Sequence, residues 1–223
     1  MKIDVKGTII HNDEKWIYDW FEMQATCPKD VLTAIEKAGG ERLDVYINSE
    51  GGDIAAGSEI YAALQEYKGE VFIHVVGYAC SAASVIACAG HCDMVRTGLF
   101  MYHNVSGGVR GDYRAMNKGA EILMTANRAI AAAYRAKTGK SEEDLLAAMD
   151  AETWITAEEA VKLGFIDEIA ENQNLKLTAS ACGGLIPSAV VEKIRNTLKS
   201  PTSAKLQAEL DFLKLKGAKR YDS

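Results

Sequence analysis

The chain has 223 residues, is 48% hydrophobic and carries a formal net charge of −6. That is enough apolar material to bury one substantial core with a small appendage. The acidic balance and the lack of a long basic run argue against nucleic acid as the main partner, because neutralising phosphates needs clustered Lys and Arg.

The opening MKIDVKGTII is short and mixed, without the apolar core of a signal peptide, and no later run approaches the length of a membrane span. A soluble, cytoplasmic protein without membrane contact is expected. Thr26-Cys27-Pro28 ahead of Val31, Ala34, Ile35 and Ala38 predicts a capped amphipathic helix stopped by Gly39-Gly40. Leu43 to Asn48 reads as a strand ending in the polar turn Ser49-Glu50-Gly51-Gly52. Helical spacing of Ile54, Ser58, Tyr61 and Leu64 predicts a helix from Asp53 to about Tyr67.

Val71 to Val76 is the next strand, punctuated by Gly77, and the small apolar residues from Ser81 to Ala89 fit a buried helix. Leu99 to His103 is a further short strand. Asp112 to about Lys137 is the longest helical segment, closed by Thr138-Gly139. Ser141-Glu142-Glu143-Asp144 caps another helix, and Thr156-Ala157-Glu158-Glu159 forms a capping box for one ending at Gly164. Beyond about Asn172 the character changes. Val190 to Leu198 and then Leu206, Leu210 and Leu213 suggest two amphipathic helices in an appendage outside the main domain.

Alternating strands and helices imply an α/β fold with parallel strands and right-handed crossovers. Sites in such sheets lie beyond the carboxyl ends of the strands. The five cysteines, Cys27, Cys80, Cys88, Cys92 and Cys182, form an odd, unevenly spaced set best read as reduced thiols. Cys88, His91 and Cys92 lack the second ligand pair of a zinc site. No metal and no other cofactor is expected.

Three strand ends carry unusual residues. Ser81 stands where a strand gives way to a helix, which exposes a hydroxyl beside free backbone N–H groups; on this feature alone a helix cap is the favoured account. Gly51-Gly52 suits either a tight turn or a backbone donor for a developing oxyanion. Among the four histidines, only His103 joins a strand end to a glycine-containing loop, Ser106-Gly107-Gly108. Imidazole is the usual base for a serine hydroxyl, although a histidine there can also be structural. An orienting carboxylate would come from Asp150 or Glu152. The G-x-S-x-G elbow of the α/β-hydrolases is absent around Ser81.

Ile47-Asn48-Ser49-Glu50-Gly51-Gly52, Gly77-Tyr78-Ala79-Cys80-Ser81-Ala82-Ala83-Ser84 and Met101-Tyr102-His103 resemble, in order, three signature blocks of Clp protease proteolytic subunits. Trp154 to Ala160 and Leu163 to Ile169 resemble the block that closes the family's domain. The resemblance implies a spiral of β-β-α units, shared with the crotonases, and a protease domain in residues 1–172. A linker and helical extension would fill 173–223. It implies Ser81 as nucleophile, His103 as general base, and Gly52 and Ala82 as oxyanion donors. The family's catalytic aspartate position is occupied by Glu152, with Asp150 as the alternative.

Lys15-Trp16-Ile17-Tyr18-Asp19-Trp20 and Glu152-Thr153-Trp154 are similar to the phage and prophage head-maturation branch. That branch implies cleavage of capsid or scaffold proteins; the housekeeping branch works with an ATPase partner. The family also implies a homo-oligomeric ring. Rival readings are a crotonase-type acyl-CoA enzyme, which would not need Ser81 with His103, and a structural ring protein with a vestigial site.

Overall fold

The computed structural model describes residues 1–170. The extension expected at 173–223, with its two helices, lies outside the described residues. The amino-terminal half runs β1 (Lys2–Ile9), α1 (Lys15–Trp20), β2 (Ala25–Thr26), α2 (Pro28–Ala38), β3 (Leu43–Gly52), α3 (Ile54–Glu66) and β4 (Val71–Cys80). After these come α4 (Ala82–Ala87), β5 (His91–Met94), β6 (Leu99–Tyr102), α5 (Tyr113–Thr138), α6 (Glu142–Asp150), β7 (Thr153–Thr156), α7 (Ala157–Leu163) and β8 (Glu168–Ile169).

The sheet is ordered β2-β1-β3-β4-β5-β8, and β6 also pairs with β4. Every pairing is parallel except β6 with β7. This is the mostly parallel α/β architecture that the Clp-like resemblance implies.

In register across β1, β3 and β4, Ile3, Val45 and Ile73 share one face, as do Val5, Ile47 and Val75. All are buried, and α2, α3 and α4 pack on these strands. The opposite face carries Lys2, Asp4, Asp44, Tyr46, Phe72, His74 and Asp93. Period-two alternation thus separates an apolar from a polar face.

Local chemistry sets the helix ends. Asp53, Asp112, Ser141 and Thr156 each accept a first-turn N–H, and Thr156 with Glu159 closes a reciprocal capping box. Gly39, Gly139 and Gly164 end their helices in the left-handed conformation.

Six elements, β1, α1, β2, β5, β7 and β8, go beyond the sequence expectations, and β3 and β4 run on through Gly52 and Cys80, past the turn expected at Ser49–Gly52 and the end expected at Gly77. The opening segment is a full strand, β1, whose buried Ile3 and Val5 alternate with Lys2 and Asp4. β5 begins at His91, and Thr153–Thr156 is a strand. Both are short strands whose existence depends on a partner strand distant in the chain.

Candidate active site

Ser81 is the single residue between β4 and α4. Its backbone lies at φ 55° and ψ −123°, a conformation that costs a non-glycine residue about 1–3 kcal/mol. Neighbours on both sides hold it there. Its N–H donates to the Met101 carbonyl of β6 at 2.9 Å. Its carbonyl accepts from the Ser84 N–H at 2.9 Å and the Ser84 hydroxyl at 2.6 Å. The Ser81 hydroxyl caps no helix N–H. Instead, Oγ lies 2.8 Å from His103 Nε2, so the helix-cap account does not describe this side chain.

His103 directly follows β6, the same strand that anchors Ser81. Two contacts fix the next two residues. The Val105 N–H donates to Asn127 Oδ1 of α5 at 2.7 Å, and Asn104 Nδ2 donates to Asp150 Oδ1 at 2.7 Å. The imidazole is therefore carried by a strand end whose exit is pinned from two sides.

The glycine end of β3 closes over the serine. Gly51 has φ 97°, and a Cβ there would lie 2.7 Å from Ser81 Cβ and 2.6 Å from the Cys80 carbonyl oxygen. Only glycine permits that approach. The Gly51 N–H donates to Ser49 Oγ at 3.0 Å, and that hydroxyl donates to the Gly7 carbonyl at 2.6 Å. Gly52 packs on β1 with φ 146°, and the next amide, Asp53 N–H, donates to the Ile9 carbonyl at 2.8 Å. Ala82 is fully buried at the first position of α4.

The two acids stand differently. The antiparallel β6–β7 ladder ends with Tyr102 paired to Thr153, and His103 and Glu152 are the next residues beyond it on either strand. Glu152 has a left-handed backbone, φ 48°, and Oε1 accepts from the Trp154 indole N–H at 3.2 Å. Asp150 is engaged by Asn104. Among the described residues, no carboxylate hydrogen-bonds to His103. The fold thus joins Ser81, His103, the glycine end of β3 and the start of α4, and leaves both candidate acids off the imidazole.

Cys80 precedes Ser81, but burial pushes its thiol up to about 12, so it offers no thiolate near neutrality. Burial likewise raises Cys88 to about 12. Among the described residues, no group of three His, Cys, Asp or Glu is placed to hold a metal. His91 faces Asp167 and Glu168 instead.

Sequence reasoning did not find the supporting cast: Met101, Ser84, Asn127 and Asn104. Ser84 was visible in principle, three residues after Ser81 at the start of a helix. Asn127 gives no local signal, since its contact spans 22 residues.

A hydroxyl on a strained turn, an imidazole on that hydroxyl and backbone amides alongside suit nucleophilic acyl transfer. A family model described as Clp protease matches residues 22–173, more than half of the chain and all of this cluster. The chain belongs to the Clp protease family, a family of serine peptidases.

Proposed function

We propose that this chain is an endopeptidase of a phage or prophage that trims capsid or scaffold proteins during head maturation. The observation that carries the chemistry is the 2.8 Å contact between Ser81 Oγ and His103 Nε2 on a backbone held in a strained conformation. Ser81 attacks the scissile carbonyl while His103 takes its proton. His103 then returns that proton to the departing amine, and water hydrolyses the resulting acyl-enzyme with the same base.

Gly52 and Ala82 supply the oxyanion N–H donors. Gly52 directly follows Gly51, whose would-be Cβ would lie 2.7 Å from Ser81 Cβ, and this closeness to the serine supports the role. Glu152 orients the second imidazole nitrogen once its carboxylate leaves the Trp154 indole; its place just beyond the β6–β7 ladder that ends beside His103, and the gap-free match to the family's aspartate position, support this role over Asp150.

Extended substrate lies along a strand edge and gains affinity from main-chain hydrogen bonds. The chain works as a homo-oligomeric ring, as its family suggests. The similarity of Lys15–Trp20 and Glu152–Trp154 to the head-maturation branch supports a capsid or scaffold substrate over unfolded proteins delivered by an ATPase.

A fluorophosphonate probe should add one adduct per chain, located on Ser81 by peptide mass spectrometry. Ser81→Ala should keep the fold, lose the adduct and abolish cleavage of a capsid protein co-expressed from the same gene neighbourhood. A folded wild-type protein that takes no label would sink the peptidase reading. Labelling without capsid cleavage, restored to proteolysis by an added ATPase unfoldase, would move the chain to the housekeeping branch.

A further inference from the structure

We infer that Ser84 and Tyr134 are positioning residues for the oxyanion donor: acting on the Ser81 carbonyl, they set the direction of the Ala82 N–H. The inference rests on the peptidase reading above and adds two residues to it.

Ser84, on α4, is fully buried, and Tyr134, on α5, is 1% exposed. Ser84 Oγ lies 2.6 Å from the Ser81 carbonyl oxygen and 2.8 Å from the Tyr134 hydroxyl. A carbonyl can only accept, so the single Ser84 hydroxyl proton is spent on Ser81. Tyr134 must then donate to Ser84. Burial holds the Tyr134 phenol far above its ordinary value, so it remains protonated and able to donate.

The Ser81 carbonyl and the Ala82 N–H belong to one planar trans peptide, in which the two bonds point in opposite directions. Fixing the carbonyl on its helix side therefore aims the N–H to the other side. The Ser84 N–H bond alone is what any residue at that position would make as the helix begins. The hydroxyl and the phenol behind it add a second lock, and a carbonyl that accepts several bonds also makes its own N–H a stronger donor. The strained φ of Ser81 makes such a lock useful, because an unheld peptide would relax away from it.

The test uses Ser84→Ala, Tyr134→Phe and the double variant in the full chain, with rates expressed per fluorophosphonate-titrated site so that misfolded protein does not count. A fluorogenic peptide gives kcat and KM. A peptidyl boronic acid, whose tetrahedral adduct occupies the oxyanion site, reads donor alignment directly. Ser84→Ala should lower kcat and boronate affinity about 10-fold to 100-fold, short of losing a donor outright. KM should stay within about twofold. Tyr134→Phe should show a smaller loss in the same two quantities, and the double variant should match Ser84→Ala rather than multiply the effects.

Wild-type kcat and boronate affinity per site in Ser84→Ala would overturn the inference while leaving Ser81 labelling, and so the peptidase reading, intact. Should Ser84→Ala fail to fold, Tyr134→Phe carries the same test, and an unchanged boronate affinity there overturns the inference equally. Absence of label on wild type would remove the reading beneath it instead.

Discussion

Gly51→Ala should cripple the site by displacing Ser81. The added Cβ would meet Ser81 Cβ at 2.7 Å, the Cys80 carbonyl oxygen at 2.6 Å and the Ala82 nitrogen at 3.0 Å. Carbon atoms settle at about 3.5 Å or beyond, so Ser81 must yield by roughly 0.8 Å. A hydroxyl now 2.8 Å from His103 Nε2 would leave hydrogen-bond range. Misplacement on the scale of 1 Å costs about 10²-fold in rate. Backbone strain must be separated from this, since alanine at φ 97° also costs about 1–3 kcal/mol.

Gly40→Ala supplies the control. Gly40 has φ 98°, yet nothing lies within 4 Å of its would-be Cβ. Both variants should melt earlier by a comparable amount, read by thermal denaturation. Only Gly51→Ala should lose about 10²-fold in the fluorophosphonate labelling rate of Ser81. If the two variants, both folded, labelled at equal rates, the steric account of the glycine end of β3 would be wrong.

The two candidate acids and the polar sheet face give further expectations. Glu152→Gln should lower kcat by on the order of 10²-fold or more, whereas Asp150→Asn, whose partner is Asn104, should cost less than about tenfold; steady-state kinetics showing the reverse order would transfer the orienting role to Asp150. On the sheet face, His74 Nδ1 lies 2.8 Å from Asp93 and Nε2 lies 3.3 Å from Asp44. The Asp93 hydrogen bond raises the His74 pKa, burial opposes it, and Asp44 adds to the rise. Because the folded value is the higher one, this stabilisation is complete below the unfolded value of about 6.5 and is lost as pH climbs through the folded value. Burial raises Asp44, but hydrogen bonds from Arg42 and His74 outweigh it and leave its pKa lowered. Its contribution is therefore present above the unfolded carboxylate value and fades as pH falls through the folded one. The denaturation-midpoint gap between wild type and His74→Gln should be widest near about pH 5–6 and shrink toward about pH 9; a gap that widens with alkali would refute the assignment.

The features legible in the sequence were those fixed by neighbours in the chain. Asp112, Ser141 and Thr156 cap the helices expected of them because a cap is decided within one turn. The local settings of Ser81 and His103 left a helix cap and a structural histidine open; the resemblance of their blocks to the Clp signatures singled them out, and the fold places their side chains in contact. The side-chain state of Glu152 was not legible: its position follows from the β6–β7 register, while its carboxylate is drawn to Trp154 only two residues on. The Ser84–Tyr134 pair spans 50 residues and depends on α5 packing beside α4, for which no local pattern stands as a signal.

The irregular middle of β4 is what allows the site to form. β4 pairs with β5 over Phe72–Val75 and with β6 over Tyr78–Cys80. Between these stretches the register with β3 jumps, from Ile47 opposite Val75 to Ser49 opposite Ala79. Asn48 covers the gap: its Oδ1 accepts the Tyr78 N–H at 3.0 Å, and a Cβ on Gly77 would collide with that oxygen at 2.2 Å. A bulge bends its strand and re-aims the residues beyond it. Here it releases β4 from β5 and hands its end to β6. That short strand then does three things at once: it accepts the Ser81 N–H through Met101, it delivers His103, and its ladder with β7 ends at Thr153, next to Glu152. The proposed nucleophile, base and acid thus all adjoin one four-residue strand, β6. Their spacing survives any motion that carries the end of β4 and β6 together and fails with any that slips β6 along β4.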